Sequence, residues 1–416
     1  MSAPLRRVVV TGIGLLTPLG NDLQSTWDGL VAGRSGIGLI TNFDTSAYEH
    51  PIAGELKGFV PEDHVEAKLL RRIDRSSAMA LAAAQAAVTD AGLDVRAEPE
   101  GTVGVLLGTG IGGAHLIVEN QQVLDEKGPR RVSPFLITSM LPDTATGLVA
   151  IALGADGANF AVTAACATGG AALGEAGEIV ARGDAEVMIA GGFEAPLRPI
   201  FYAGFHAMRA LAEDEDPTKA CKPFDLHRNG FVISEGAGIL ILEELDHALA
   251  RGARIYAEWK GAGTSNDAFD MVAAAEDGRG VMRAITRSLK RAAIDLDQVD
   301  YINAHGTGTP LNDRVESRAI RAVFGAHADR LMVTSTKSMT GHMMGAAGAV
   351  EAAVAALTCH HQIVPPTINY TTPDPDCDLD YVPGEARRTT VRHAMSTSVG
   401  LGGHNSSIVF ARWDGT

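Results

Sequence analysis

Apolar, strand-like runs alternate with segments rich in small residues through most of this sequence. Strands are predicted at residues 7–11, 102–107 and 255–263, and long helices at residues 68–91 and 345–357. Strands that alternate with helices usually form mostly parallel sheets covered by helices. The order of elements therefore predicts an α/β fold.

The sequence also predicts an internal duplication. A second series of strands and helices begins near residue 255, where residues 255–263 loosely resemble residues 8–14, with a turn expected at 12–14. A chain of 416 residues is long enough for two such units. We therefore expect two similar halves, residues 1–254 and 255–416.

Net charge and cysteine spacing disfavour several classes of function. The formal net charge of −15 argues against a broad nucleic-acid or anionic-membrane surface. The four cysteines show no metal-binding spacing, and the first residues lack the apolar core of a secretory signal. Free thiols in the cytoplasm are the resulting expectation. No uncharged apolar run reaches the ~18 residues that a membrane-spanning helix needs.

Cys166 lies at a predicted junction between a strand and a helix. An apolar run within residues 158–170 reaches the cysteine, and a helix rich in Ala and Glu is predicted at residues 171–182. Unpaired backbone N–H groups at a helix N-terminus lower the pKa of a thiol and can hold an oxyanion. A nucleophile is therefore one interpretation of Cys166, and a small buried core thiol is the other.

Two further segments contain side chains suited to catalysis. His305 leaves a predicted strand into a turn rich in Gly and Thr, and Lys337 and His342 precede a helix of small residues. Because small residues allow that helix to pack deeply, a lysine at its start needs an acidic partner. Glu351 and Asp313 are the candidates for this partner. Each histidine taken alone is equally consistent with a capping or turn residue.

Two glycine-rich segments are ambiguous. Residues 108–113 match the G-x-G-x-x-G pattern of dinucleotide sites. The acidic residue expected about 20 positions later is missing, so we interpret this segment as a glycine-rich turn. Residues 400–403, Gly-Leu-Gly-Gly, suit a loop that swings or presents a backbone N–H, and a tight hairpin is the alternative.

One cysteine and two histidines, each presented at a strand end, form a consistent catalytic set. A thiol hydrolase and an acyltransferase both use such groups, so the residue types leave both classes open. In carbon–carbon bond formation, two neutral imidazoles have a clear purpose. They can donate or accept hydrogen bonds around a thioester carbonyl as enolate charge develops.

Several motifs spread along the chain point to one family. The most specific are His-Gly-Thr-Gly-Thr-Pro at 305–310, Ser-Thr-Lys-Ser at 335–338 with Gly-His at 341–342, and Pro-Pro-Thr-Ile-Asn at 365–369. Shorter matches lie at 9–12, 209–211, 223–225, 230–232 and 402–403. Together they make nearly the whole chain similar to the β-ketoacyl-[acyl carrier protein] synthases of the type II, elongating kind.

The resemblance implies a thiolase-like fold with two duplicated halves in an α-β-α-β-α layered arrangement. It implies that Cys166 receives an acyl chain from a carrier protein as a thioester. A malonyl carrier protein then binds, and His305 and His342 assist its decarboxylation and stabilise the enolate. The enolate attacks the acyl group on Cys166, which elongates a fatty acyl or polyketide chain.

The resemblance also implies supporting roles for other residues. Lys337 and Glu351 would give electrostatic support to the histidines, with Asp313 and Glu316 in the layer around them. Thr307 and Thr309 would bind phosphopantetheine, and Ile111 would close the end of the acyl pocket. The backbone N–H groups of Cys166 and Leu401 would form an oxyanion hole, beside a gate formed by Val399, Leu401 and Gly402.

The implied partner is an acidic acyl carrier protein, whose phosphopantetheine delivers the substrates, so neither a metal nor another cofactor is expected. A homodimer is expected, or a heterodimer with a chain-length-factor subunit in a specialised polyketide or polyene pathway. The implied docking site is a basic set, namely Lys68, Arg71, Arg72, Arg130, Arg131 and Arg209.

This chain departs from the family pattern at three places. The gate usually has Phe-Gly-Phe-Gly-Gly, whereas residues 399–403 are Val-Gly-Leu-Gly-Gly. The loop at 266–277 lacks the prolines common there, and Ala165 and Ala167 flank Cys166 in place of hydroxyl residues. These departures favour a specialised acyl substrate and a more mobile loop.

Three alternatives to a carrier-protein condensing enzyme fit the sequence less well. A thiolase that uses coenzyme A usually has a second cysteine with one histidine, so the pair His305 and His342 argues against it. A binding or scaffold protein with a decayed site conflicts with the intact set Cys166, His305, His342 and Lys337. A chain-length factor lacks the cysteine, so Cys166 argues against that role.

Overall fold

The computed structural model describes residues 5–415, so residues 1–4 and 416 of the two predicted halves lie outside the described residues. Ten strands form one continuous sheet, and two short pairs of strands lie apart from it. In chain order the strands are β1 (Val8–Leu16), β2 (Gly38–Leu39), β3 (Ile52–Ala53), β4 (Val103–Gly108), β5 (Asn159–Val162), β6 (Val187–Glu194), β7 (Gly236–Glu244), β8 (Ala257–Asn266), β9 (Tyr301–Asn303), β10 (Met332–Thr334), β11 (Ile363–Val364), β12 (Arg387–Arg388), β13 (His393–Gly400) and β14 (His404–Arg412).

Helices cover both faces of the sheet. In chain order they are α1 (Leu23–Val31), α2 (Ala67–Leu70), α3 (Arg75–Ala91), α4 (Ala114–Lys127), α5 (Leu136–Met140), α6 (Thr144–Leu153), α7 (Thr168–Arg182), α8 (Pro199–Ala207), α9 (Leu245–Ala250), α10 (Arg279–Ala292), α11 (Pro310–Phe324), α12 (Lys337–Thr340) and α13 (Ala347–His361).

The two halves of the chain have the same topology. In the first half the strands lie in the order β5-β4-β6-β7-β1, and in the second half in the order β10-β9-β13-β14-β8. Each half thus arranges its five sheet strands as third, second, fourth, fifth, first. In both, the second strand is parallel to its neighbours and the fifth is antiparallel to its neighbours. The predicted duplicated α/β fold is confirmed.

The elements stack in five layers. Helices α7 and α13 lie between the two half-sheets and contact strands of both halves. Helices α3 and α6 cover the outer face of the first half, and α10 and α11 cover that of the second. The side chain of Leu106 in β4 belongs to the central core, whereas Val105 and Leu107 belong to the outer one. This alternation shows that both faces of the sheet are buried.

The half-sheets are joined through a short antiparallel pairing of β1 with β8, which spans residues 8–10 of β1. The first half ends with α9 and the second begins with β8. The predicted division between residues 254 and 255 falls in this connection, and we retain it as our proposed boundary.

Two further predictions concern the cysteines and the absence of membrane-spanning helices. All four cysteines are free thiols. Among residues 5–415, no helix combines the length and the apolar character that crossing a bilayer requires.

The turn predicted at residues 12–14 is wrong, because β1 continues through it. A Cβ added at Gly12 would lie 2.2 Å from the carbonyl oxygen of Ala87, and one at Gly14 would lie 2.0 Å from that of Ala83. These glycines therefore allow the backbone of α3 to pack directly on the strand.

The helix predicted at residues 68–91 is divided into α2 and α3. Asp74 lies between them and accepts hydrogen bonds from the backbone N–H groups of Ser76 at 3.0 Å and Ser77 at 3.1 Å. This N-cap fixes the start of α3, because the two N–H groups would otherwise lack partners.

Candidate active site

A cavity of about 490 Å³ lies where strand ends of the two halves meet. Its lining combines a first-half cysteine with second-half histidines and with aliphatic and aromatic side chains. The lining also includes Phe205, Met208, Phe231 and Met344, whose spacing in the sequence does not distinguish them from core residues. The predicted site residues that line it are Ile111, Cys166, His305, Thr307, Thr309, His342, Val399 and Leu401.

Cys166 lies on a sharp turn just before α7. Ala165 has a φ of 48°, which is unfavourable for a residue with a Cβ. The side chain of Thr168 holds the turn: its hydroxyl accepts from Ala164 N–H at 2.8 Å and donates to Ala165 C=O at 2.7 Å. The turn thereby presents the half-buried thiol to the cavity.

The thiol pKa differs from the sequence-based expectation. Burial raises the pKa of Cys166 to about 11, although the Lys337 ammonium and the backbone N–H of Leu401 act in the opposite direction. The expectation of a lowered pKa is therefore wrong, because desolvation outweighs the helix N-terminus. A thiol in this setting is protonated at neutral pH and needs a base before it can attack a thioester.

Lys337 lies under His305 and is fully buried. Its Nζ is 3.4 Å from Nδ1 of His305 and forms an ion pair with Glu351. Of the two acidic partners predicted for Lys337, Glu351 and Asp313, it is therefore Glu351 that contacts the ammonium group. Because an ammonium group only donates, Nδ1 of a neutral His305 accepts, and the ring proton lies on Nε2. Lys337 thus orients a hydrogen-bond donor of His305.

The two histidine rings lie next to each other in the cavity wall. Their ring centroids are 5.2 Å apart with an interplanar angle of 86°, and the His342 ring also packs edge-on against Phe231. Burial, followed by the nearby charge of Lys337, holds the pKa of both imidazoles well below the ordinary value. Both rings are therefore neutral at physiological pH, which suits hydrogen bonding to a developing enolate.

Glu316 fixes the backbone that carries His305. Its buried carboxylate accepts from His305 N–H and Gly306 N–H, both at 2.8 Å, and from the Thr397 hydroxyl at 2.8 Å. Such a carboxylate can hold a loop rigidly, because several donors compensate its loss of hydration.

Asp313 holds the next part of the same loop. It accepts from Phe224 N–H at 2.8 Å and from Gly308 N–H at 3.2 Å. Thr307 and Thr309 flank this glycine, and their hydroxyls lie 3.0 Å apart. Both threonines reach the cavity wall, at a place where a polar arm could find hydrogen-bond partners.

The predicted gate is a tight connection between β13 and β14. Val399 is partly buried, Leu401 is 39% exposed, and Gly402 has a φ of 80°. Gly402 N–H donates to Met271 C=O at 2.9 Å, and the Asn266 side chain donates to Gly402 C=O at 2.8 Å. These hydrogen bonds join the gate to the loop at 266–277.

The predicted docking residues lie outside the cavity. Arg209 is adjacent in sequence to Met208 and Ala210, both of which line the cavity. The guanidinium of Arg72 lies 4.7 Å from the ring centroid of Phe135, which places its segment beside the one that follows α4. All six are exposed, namely Lys68, Arg71, Arg72, Arg130, Arg131 and Arg209.

Glu194, a buried acid at the end of β6, is not among the predicted site residues. Its carboxylate accepts hydrogen bonds from the glycine-rich turn after β4. The N–H groups of this turn are thus engaged by the protein itself, unlike those of a dinucleotide-binding loop. A glutamate two positions after a pair of glycines is a weak signal in the sequence, and only the fold shows its neighbours.

Comparison with known proteins relates this geometry to a family. Residues 5–248 match the family model described as Beta-ketoacyl synthase, N-terminal domain, and residues 256–371 match Beta-ketoacyl synthase, C-terminal domain. A 3-oxoacyl-[acyl-carrier-protein] synthase 2 of Staphylococcus aureus (strain COL) is 49% identical over 409 residues, which covers 98% of this chain and 99% of the relative. One from Synechocystis sp. is 48% identical over 409 residues, with 98% of each chain covered.

Solved structures give the same result. The ishigamide ketosynthase/chain length factor superposes with a TM-score of 0.92 at 36% identity, covering 98% of this chain and 100% of that one. A type II polyketide synthase acyl-carrier protein in complex with its ketosynthase, bound to the hexaketide, contains a chain with a TM-score of 0.91 at 36% identity and the same coverage. A β-ketoacyl synthase from Burkholderia phymatum gives 0.89 at 33% identity, with 98% and 100% covered.

A thiolase-like fold with these relatives defines a condensing acyltransferase, an enzyme that forms carbon–carbon bonds from acyl groups. The chain belongs to the β-ketoacyl synthase family. The CoA-dependent thiolase and the thiol hydrolase are thereby set aside.

Proposed function

We propose that this chain elongates acyl groups delivered by an acyl carrier protein, with Cys166 as the acyl acceptor. The observation that carries the proposal is the meeting of the Cys166 thiol with two neutral imidazoles in one largely apolar cavity. The names of the relatives specify an acyl carrier protein, and one structural neighbour is a ketosynthase in complex with such a protein.

In the first step the Cys166 sulfur attacks the thioester carbonyl of the incoming acyl chain. The thiol proton moves to the imidazole of His342 as the new bond forms, because the raised thiol pKa requires a base and Nδ1 of His305 already accepts from Lys337. Collapse of the tetrahedral intermediate breaks the carbon–sulfur bond to phosphopantetheine, whose thiol leaves with the proton. Thr307 and Thr309 hold the phosphopantetheine arm during this transfer.

In the second step a malonyl thioester loses carbon dioxide. The bond to the carboxyl carbon breaks, and its electron pair becomes the enolate of the remaining thioester. Nε2–H of His305, oriented by Lys337, donates to the enolate oxygen, and His342 supplies the second hydrogen bond. Neutral imidazoles suit this task, because each can carry its ring proton toward the developing charge.

In the third step the enolate carbon attacks the acyl carbonyl on Cys166. The backbone N–H groups of Cys166 and Leu401 stabilise the oxyanion. The proximity of Leu401 N–H to the sulfur supports this role. Collapse expels the Cys166 thiolate and releases a β-ketoacyl thioester on the carrier protein.

The decisive experiment loads acyl carrier proteins with chains of different length and detects the adduct on this chain by mass spectrometry. We expect one acyl group on the peptide that contains Cys166, and none in the Cys166→Ala variant. An adduct on Cys221, Cys359 or Cys377, or no adduct with any chain, contradicts the proposal.

A specialised polyketide or polyene pathway is the second candidate. Aliphatic Val399 and Leu401 at the gate favour it, and two structural neighbours are ketosynthases from assemblies named for a chain length factor or a type II polyketide. Selective loading of polyene or aromatic precursors supports this candidate. Efficient loading of saturated chains by the isolated protein supports fatty acyl elongation.

We also propose that the chain forms a homodimer. Strand β5 is an edge strand of the sheet. Phe160 on it is 41% exposed, and Ile151 on α6, which contacts β5, is 80% exposed. An unpaired edge with apolar side chains suits pairing with a second copy. Light scattering should give the dimer mass for the isolated chain, and a monomer that becomes active only with a chain-length-factor subunit contradicts the homodimer.

The reaction as proposed takes place in the cytoplasm and needs no group beyond the phosphopantetheine of the carrier protein. Condensation should therefore persist after dialysis against a chelator. Loss of activity that returns with a single added metal ion contradicts this expectation.

A further inference from the structure

Glu194 is a buried carboxylate with an unusually complete set of backbone partners. It is 1% exposed at the C-terminal end of β6. Five groups donate to it: the Thr109 hydroxyl at 2.6 Å and the backbone N–H groups of Gly110 at 2.7 Å, Ile111 at 3.1 Å, Gly112 at 3.1 Å and Gly345 at 3.1 Å.

These donors come from both halves of the chain. Gly110 and Ile111 are first-half residues of the cavity wall, whereas Gly345 follows His342 by three positions in the second half. A Cβ added at Gly345 would lie 2.5 Å from Gly110 N and 2.6 Å from Glu194 Oε2. The two backbones thus meet at one carboxylate, without space for a side chain between them.

We propose that Glu194 is a positioning residue that links the acyl-pocket wall at Ile111 to the segment that carries His342. The inference rests on the proposed function, because it concerns the acyl and malonyl steps of that reaction. Through the turn after β4, Glu194 sets where Ile111 lies and hence which chain lengths fit. Through Gly345 it sets the position of the His342 imidazole.

The substitution Glu194→Gln should disturb both sites. A glutamine keeps the size of the side chain but has one acceptor oxygen and one NH₂ group. Whichever way it is placed, the NH₂ faces backbone N–H groups that now lack an acceptor. An unsatisfied buried N–H is unfavourable, so the turn and the Gly345 segment are expected to move apart.

The first measurement is the loading of Cys166 by short and long acyl carrier proteins, followed by mass spectrometry. We expect the ratio of long-chain to short-chain loading to change by on the order of tenfold in Glu194→Gln, since one methylene in an apolar pocket already changes selectivity by about that factor. The second measurement is malonyl decarboxylation, which should slow by on the order of 10²-fold if the imidazole shifts by about 1 Å.

Glu243→Gln is the matched control. Glu243 is equally buried and accepts hydrogen bonds from Thr11 and Arg251, far from the cavity lining. It should lower stability while leaving the loading ratio and the decarboxylation rate of the folded enzyme unchanged. Equal changes in the two variants mean that Glu194 acts through general stability, which overturns the proposal.

Gly345→Ala tests the same link without altering the carboxylate. Its methyl group enters the contact between Gly110 and Glu194, so it should shift the loading ratio in the same way. A folded Gly345→Ala or Glu194→Gln variant with wild-type loading and decarboxylation overturns the inference. If the wild-type chain itself forms no adduct on Cys166, the proposed function fails instead, so the two failures are distinguishable.

Discussion

The two halves of the molecule share a topology but present different side chains at equivalent places. The loop after the second sheet strand carries Ile111 in the first half and His305 in the second. Each loop is held by a buried glutamate that accepts backbone N–H groups, Glu194 in one half and Glu316 in the other. One scaffold therefore supports an aliphatic wall on one side and an imidazole on the other.

The segment after the third sheet strand differs in a similar way. In the first half it carries Cys166 and leads into α7, and in the second it carries Lys337 and His342 and leads into α13. In the proposed mechanism the first half supplies the group that holds the acyl chain. The second half supplies the charges and hydrogen bonds that act on the malonyl group. The duplicated topology determines where these segments lie, and the residues on them determine the chemistry of each segment.

The largest expected effect separates these two roles. Cys166→Ala should reduce condensation by about 10⁴-fold or more, because the acyl acceptor is lost. Malonyl decarboxylation should persist, because Lys337, His305 and His342 remain. The measurement compares release of carbon dioxide with formation of the β-keto product. Equal loss of both activities would show that the halves do not divide the reaction in this way.

The next effect concerns the buried ion pair of the second half. Lys337→Met leaves Glu351 buried without its cation and should lower the free energy of unfolding by about 3–5 kcal/mol. The double variant Lys337→Met/Glu351→Leu should recover most of that stability but not the decarboxylation rate, since His305 loses its orienting donor. Chemical denaturation and carbon dioxide release measure the two quantities.

Arg75→Met is the first-half control for this ion pair. It removes the partner of buried Glu235, which lies 2.9 Å away. It should also lower stability, but the folded fraction should keep the normal rate of decarboxylation. A restored rate in the Lys337→Met/Glu351→Leu variant would exclude the orienting role of Lys337.

A smaller effect is expected for carrier-protein docking. The whole predicted basic set belongs to the first half, so docking should depend on first-half charges alone. The double reversal Arg71→Glu/Arg72→Glu should raise the KM for the acyl carrier protein by on the order of tenfold, and less at high salt. Arg283→Glu/Lys290→Glu, on the exposed side of α10, is the second-half control. A similar KM for both double variants would place the docking site elsewhere.

The smallest effect is a difference in pH dependence. His305 and His342 have folded-state pKa values well below the ordinary one of about 6.5, because burial and the charge of Lys337 disfavour protonation. As pH falls below ~6.5 the unfolded chain takes up protons that the folded chain does not, so stability falls by about 1 kcal/mol per pH unit for each histidine.

His247 in the first half has the opposite shift. Burial opposes protonation, but hydrogen bonds to Glu243 and Glu98 raise the pKa of His247 overall. Its contribution to stability is full below the unfolded pKa and is lost as pH rises through the raised folded one. Denaturation of His305→Asn and His247→Gln between pH 5 and 8 should therefore change the slope in opposite directions. Slopes of the same sign would contradict this.

The cavity residues that have strong local patterns could be predicted from the sequence. Cys166, His305 and His342 each follow a strand and precede a glycine- or alanine-rich segment, and the small residues of α13 correctly indicated a buried Lys337. The duplication was indicated by the loose similarity between residues 8–14 and residues 255–263. These features depend on neighbours within a few positions, which a single sequence contains.

Other features depend on distant contacts and were missed or misjudged. Gly12 looked like a turn because its close neighbour, the backbone of α3, is far along the chain. The pKa of Cys166 rises because residues of both halves exclude water from it, and no local pattern reports that burial. Glu194 meets Gly345 only after the halves assemble.

The central helix layer has a consequence for how the chain is made. Helix α7 is completed in the first half, but α13, which packs beside it, is among the last helices to be synthesised. The inner faces of β6 and β7 contact α13 as well as α7, so they leave the ribosome before part of their cover exists. We expect this interval to be when the nascent chain is most prone to aggregation, so the yield in a cell depends on the pace of translation through the second half as well as on final stability.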